Sequence, residues 1–278
     1  MKLEKIWAVY FSGTGTTRRT VERIAGGIAS RLNLPAESVD FSRPAVRQET
    51  MGFGEKDLVV FGAPVYAGRV PNVLLPFLRE RIVGGGALAV PVVLFGNRNY
   101  DDALIELRNI LAADGMHPIA AGAFVGEHSF SRVLGADRPN AEDEALMDEF
   151  AARVAELAAG LDAAPVKSVA VRGREPLRPY YTPRDRAGNP INILKVKPKT
   201  DMSRCGGCGL CAELCPMGSI DPADVSAVRG ICIKCCACVK GCPTGAKFFD
   251  DAGYLYHQHE LEAQYARPAE NEVFYIQL

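Results

Sequence analysis

Between Cys205 and Cys242 the chain twice spells C-x2-C-x2-C-x3-C-P. The first run is Cys205, Cys208, Cys211 and Cys215 before Pro216; the second is Cys232, Cys235, Cys238 and Cys242 before Pro243. The second follows the first by 27 residues, and Gly218 and Gly245 keep the same offset. Three thiolates at x2 spacing let a tight turn grip one corner of an iron–sulfur cube. Zinc takes four ligands from two CxxC pairs and would leave the remaining cysteines and both prolines without a role. All nine cysteines of the chain fall in this one stretch, unlike a disulfide framework, which also needs an oxidising compartment. A segment of roughly 50 residues with few large apolar side chains cannot build a sufficient core, so metal must hold it together. Cys236 falls outside the spacing and reads as a free thiol beside the metal.

The repeat resembles the bacterial two-cluster ferredoxins, in which the fourth cysteine of each run ligates the other cube. That resemblance implies two [4Fe–4S] clusters. One takes Cys205, Cys208, Cys211 and Cys242; the other takes Cys232, Cys235, Cys238 and Cys215. It also implies a small α+β domain over residues 201–250.

The first 161 residues alternate short apolar runs with helical patterns. Lys5 to Phe11 suits a strand buried on both faces, and Val21, Ile24, Ala25, Ile28 and Leu32 then recur on one helical face. Between them lies Ser12-Gly13-Thr14-Gly15-Thr16-Thr17. A glycine and hydroxyl loop leading from a strand into a helix is the geometry of an anion site, with backbone N–H groups aimed at a phosphate. No G-K-[ST] follows, and G-x-G-x-x-G is absent. Further strands are expected at Ser38–Phe41, Asp57–Phe61, Ala87–Phe95 and Pro118–Val125. Pro91 should delay pairing in the fourth, and Pro76 should delay or kink the helix near it. Asp101 and Asn140 are expected to cap the last two helices. The pattern predicts an open, doubly wound parallel sheet of five strands, whose ligands bind outside the strand carboxyl ends.

The loop is similar to the phosphate loop of flavodoxins, and the resemblance covers residues 1–161. It implies FMN, with its phosphate on Ser12 to Thr17. It also assigns ring contacts to Pro64, Val65, Tyr66, Ala67 and Gly68 after the third strand, and to Gly96, Asn97, Arg98, Asn99 and Tyr100 after the fourth. Tyr66 and Tyr100 are candidates to flank the ring, and Asn97 and Asn99 to bond its pyrimidine edge. Gly68 matches the glycine whose peptide flips toward the reduced flavin N5.

Residues 162–200 carry nine basic against three acidic side chains and six prolines, as either a linker or a segment wrapped on acidic neighbours. Ile191 to Lys197 alternates like a strand. The tail, 251–278, is too aromatic for a disordered end and should fold back. Net charge is −1, which gives no sign of nucleic-acid binding, and no stretch approaches the roughly 20 apolar residues of a membrane span. Reduced cysteines and oxygen-labile clusters favour the cytoplasm. The expected role is electron transfer within one polypeptide, between redox protein partners. The alternative is a flavin-dependent reductase of a small substrate, fed by its own ferredoxin domain.

Overall fold

Apolar runs buried on both faces become the strands of one central sheet. The computed structural model describes residues 1–277. Strands β1 (Lys5–Tyr10), β2 (Ala36–Asp40), β3 (Asp57–Pro64), β4 (Leu88–Phe95) and β5 (Ala120–Val125) pair in parallel in the order 2-1-3-4-5, the doubly wound order. Side chains along β3 alternate between two cores. Val59, Phe61 and Ala63 face the core shared with α2 (Leu75–Glu80) and α3 (Ala103–Ala113). Leu58 and Val60 face the one shared with α1 (Thr16–Leu32) and α4 (Ala141–Ala159). In α1, Val21, Ile24, Ala25 and Ile28 are buried, as their spacing requires.

Pro91 lies inside the paired part of β4, opposite Phe61, so pairing does not wait for it. The register against the other neighbour explains why. Leu88 and Ala89 face His117 and Pro118, but Val92 faces Gly122, so the partner strand gains one residue across the proline. The missing N–H therefore falls at a bulge, where a proline costs no ladder bond. Pro76 is tolerated in the first turn of α2, which starts late after a single turn at Asn72–Leu74. Asn140 caps α4, its side chain accepting from Glu142 N and Asp143 N, while Asp143 returns a bond to the Asn140 N–H. Asp101 does not cap α3. The capping position is Asp102, whose carboxylate bonds elsewhere.

The basic middle segment is wrapped rather than free. Asp102, fully buried, accepts from Arg174 N (3.0 Å), Arg178 N (2.7 Å) and the Arg178 guanidinium (2.8 and 3.1 Å). Tyr180 Oη donates to Val70 O (2.8 Å), and Tyr181 N donates to Ala67 O (2.9 Å). The strand expected over Ile191–Lys197 does not form. Leu194 points outward, 81% exposed, and strand pairing starts only at Lys199–Thr200, antiparallel to Lys247–Phe248. The tail returns as α7 (Ala252–Gln264) and then β6 (Glu272–Tyr275), which pairs antiparallel with β5 and closes that sheet edge.

The cysteine segment carries two one-turn helices, α5 (Leu210–Glu213) and α6 (Ala237–Lys240). It is docked at the carboxyl ends of the strands. Arg47, after β2, donates to Phe41 O, Ser42 O and Pro216 O (2.7, 2.6 and 2.6 Å), and Lys240 pairs with Glu127 and donates to His128 O.

Candidate cofactor and metal sites

Gly15 takes a left-handed conformation (φ 87°) and starts α1 without a side-chain cap. Ser12 N donates to Ser42 Oγ, and Arg18 N donates to Ser12 Oγ (3.2 Å). The five amides between them, Gly13 to Thr17, donate to no protein acceptor among the described residues. Thr20 Oγ1, one turn further along, is buried without a hydrogen-bond partner. Orphaned donors at the positive end of a 17-residue helix fit a phosphate. A cavity of about 380 Å³ opens beside them, lined by Thr14, Thr16, Thr20 and charged side chains of both signs.

The residues expected around a flavin ring divide. Tyr66 stands at the loop, its hydroxyl 3.5 Å from where a Gly13 Cβ would lie. Burial, then the neighbouring Cys235, Cys236 and Cys232 thiols, push its own ionisation far up. Pro64 ends β3, and Val65 N extends the ladder to Leu94 O. Ala67 and Gly68 (φ 52° and 79°) make a tight turn between Tyr66 and Arg69, which exchange both backbone bonds. Arg69 is fixed in turn by a bidentate pair with buried Glu106. The Gly68 carbonyl accepts from Asp102 N (3.0 Å), a bond that any flip of that peptide would break.

After β4 the expectations fail. Tyr100 is a core residue, 3% exposed, packed on Phe95 and bonded to Glu272 (2.8 Å), so it does not flank a ring. Asn97 spends its whole amide on the tail. It donates to Tyr265 O and Arg267 O and accepts from Ala269 N, which leaves no donor and a single lone pair of Oδ1 for a pyrimidine edge. Asn99 closes a local turn on Asp101 N. Arg98 pairs with Asp101 and lies 4.6 Å over the Tyr181 ring. Gly96 has His128 where a Cβ would go (2.5 Å). Only a spent side-chain amide separates Asn97 from its expected role, and the tail that spends it lies about 170 residues away. The sequence offered no signal for that contact.

The nine thiols are all free. Cys215, Cys232, Cys235, Cys236 and Cys238 line one cavity, and Cys215 is close enough for its charge to act on Cys232, Cys235 and Cys238. Cys242 acts likewise on Cys211. Cys215, the fourth cysteine of the first run, thus shares a cavity with the second run. Burial, with these like-charged neighbours, pushes Cys235 and Cys238 up to about 12. Against the opposing effect of burial, hydrogen bonds from Thr244, Lys247 and Ala246 bring Cys242 down to about 7. Matching backbone bonds reach the two fourth sulfurs: Ser219 N to Cys215 Sγ (3.3 Å) and Ala246 N to Cys242 Sγ (3.2 Å). The internal repeat is therefore a repeat of sulfur solvation as well as spacing. Among the described residues no three His, Cys, Asp or Glu side chains converge on a single ion position. The donors are all sulfur and ring a shared space, which fits a cluster.

Cys236 occupies the repeat position of Gly209, and both start their helices in the left-handed region (φ 57° and 73°). Its thiol is buried, 3.4 Å from the Tyr254 hydroxyl. The two sites touch. A Cβ on Gly13 would stand 3.0 Å from the Cβ of Cys235, so the phosphate loop packs directly on the second cysteine run. An aromatic cluster seals the same face: Phe130 packs on Tyr254 and His257, and Tyr254 on Phe249.

Residues 8–103 match the flavodoxin domain family and residues 198–221 the 4Fe-4S binding domain family. The second match contains the first cysteine run. A comparison with curated proteins found no match. Among solved structures, a flavodoxin from the domain Archaea is 17% identical, covers 55% of this chain and 97% of its own, and has a TM-score of 0.41. The Streptococcus pneumonia TIGR4 flavodoxin is 18% identical, with 56% and 99% covered and a TM-score of 0.38. The rubredoxin oxygen:oxidoreductase of Desulfovibrio gigas is 14% identical, with 58% and 38% covered and a TM-score of 0.35. No helix among the described residues is long and apolar enough to cross a membrane. The two family matches, set on this α/β sheet and these thiols, identify an electron-transport chain in which a flavodoxin domain, with the FMN it implies, is joined to a ferredoxin-type 4Fe-4S domain.

Proposed function

We propose that the chain carries electrons internally, between FMN on residues 1–161 and two [4Fe–4S] clusters on 201–250, and serves redox proteins as donor and acceptor. The ligand sets are Cys205, Cys208, Cys211 and Cys242 for one cluster, and Cys232, Cys235, Cys238 and Cys215 for the other. When bound, FMN supplies a carrier of one or two electrons and each cluster a carrier of one. The observation that carries the reading is the contact of Gly13 with Cys235. A glycine at 13 leaves room for the cysteine loop, Tyr66 fills the space beside it, and Tyr254, stacked on Phe249 and packed on Phe130, contacts Cys236 of the same loop. Ser219 N and Ala246 N donate to Cys215 Sγ and Cys242 Sγ, bonds that would favour the more negative, reduced state of clusters held there. The 162–200 segment and the tail lock the two parts together, so transfer does not wait on diffusion. No acid–base pair or substrate pocket is identifiable from the residue spacing, so the reading as a flavin-dependent reductase of a small substrate ranks second. Oxygen-labile clusters suit a reducing compartment such as the cytoplasm.

Anaerobic purification with iron and flavin analysis tests this. About one FMN and about eight iron atoms per chain are expected, and removing the iron should unfold residues 201–250, which bury little besides Ile220, Ala237, Ala246 and cysteines. A chain without flavin, or with a metal other than iron on these thiols, overturns the proposal.

A further inference from the structure

We infer that Lys240, a side chain of the cysteine domain, is part of the phosphate site of the flavodoxin domain, so that both domains hold the phosphate of one ligand. The inference rests on the reading that the 12–17 loop takes a phosphate monoester, FMN. Four observations carry it. The cavity of about 380 Å³ is walled by Thr14 and Thr16 of the loop, by Arg19 and Thr20 of α1, and, from the other domain, by Lys240 of α6; the carboxylates of Glu127, Asp137 and Glu144 also reach it, the first and last of them paired with Lys240 and Arg23. Thr20, 1% exposed, has its hydroxyl there without a partner. The Lys240 side chain is only 14% exposed. Its ammonium bonds the Glu127 carboxylate and His128 O (2.7 Å), leaving one of three N–H donors without a protein acceptor.

The other cations on these walls belong to the flavodoxin domain itself. Arg138, as sheltered as Lys240, is held by a bidentate pair with buried Asp143 and by Ala269 O, and Arg23 is paired with Glu144 and Asp148. Arg19 has no carboxylate partner among the described residues but is exposed to solvent. A phosphate dianion beside five free amides gains most from a cation that is already sheltered. Lys240, two residues after Cys238, is the sheltered cation that the cluster domain contributes, and it ties flavin binding to that folded domain.

The test is the affinity of the iron-loaded protein for FMN and for riboflavin, which lacks the phosphate, read by flavin fluorescence. K240A should weaken FMN binding about tenfold, the loss of one charged hydrogen bond, and leave riboflavin binding unchanged, while K240R restores most of the FMN affinity. E127Q, which frees the lysine from its carboxylate, should leave FMN affinity equal or higher. If Lys240 merely latches the domains to Glu127, K240A and E127Q will weaken both ligands together, and the inference falls. It also falls if K240A binds FMN like the wild type with its iron content intact. A wild-type protein that binds neither flavin overturns the underlying reading, and the inference with it.

Discussion

Replacing Cys236 separates backbone strain from metal chemistry. A side chain in the left-handed region costs about 1 kcal/mol or more, and Cys236 sits there at φ 57° where the first repeat has Gly209. Deleting the thiol forfeits about 1 kcal/mol of burial. It also leaves the buried Tyr254 hydroxyl without its partner at 3.4 Å, a further loss of about 1 kcal/mol. C236A bears both losses and keeps the strain, so it should lie about 2 kcal/mol below the wild type. C236G bears the same losses but sheds the strain. Allowing for the extra freedom glycine gives the unfolded chain, it should outlast C236A by about 1 kcal/mol, the reverse of the usual helical preference for alanine. Cluster loss is irreversible, so the assay is the rate at which visible absorbance bleaches in denaturant under argon. A difference of this size is roughly fivefold, with C236A bleaching faster. Both variants should keep their full iron. Alanine outlasting glycine refutes the strain argument, and iron loss in either variant makes Cys236 a ligand.

Asp102→Ala should cost about 3 kcal/mol, toward the low end for a broken buried pair because Arg178 can rehydrate. Faster proteolysis of residues 172–190 and a lower thermal midpoint would show it; D102N should lose less. His257 and His128 are kept neutral by burial, lowered to about 4 and about 3. Unfolded chains take up those protons near pH 6.5 while the folded protein does not, so stability is intact above about pH 6.5. It falls, as pH drops toward about 4, by up to about 1.4 kcal/mol per unit per histidine. The thermal midpoint should therefore drop between about pH 7.5 and about pH 5 in the wild type, and by less in H128N/H257N. Deleting residues 270–277 uncovers the edge of β5 and removes the partner of Tyr100, so light scattering should report self-association.

The sheet was legible because periodicity and turn residues speak locally. The apolar spacing of α1, the Asn140 cap and the late start at Pro76 appear where the residues put them. Pro91 was misjudged because a bulge belongs to the partner strand, which the proline's own neighbours do not reveal. The repeat itself was plain in the cysteine spacing, whereas the crossed assignment of its thiols is what the resemblance to two-cluster ferredoxins implies. The loop after β4 could not be read: what Asn97 and Tyr100 do is decided by Tyr265, Arg267, Ala269 and Glu272, and long-range contacts of that kind leave no local pattern. The wrapped segment lay between the two cases. Its excess of arginines indicated acidic neighbours, and Asp102 and Glu260 are among them, but composition did not say which arginine meets which acid.

The most direct measurement is to reduce the flavin with a light pulse in the dilute, anaerobic, fully loaded protein and follow the cluster absorbance. Transfer inside one chain predicts bleaching of the clusters at a rate that does not change when the protein is diluted about tenfold. A rate that falls in proportion to concentration, or clusters that never respond, contradicts it.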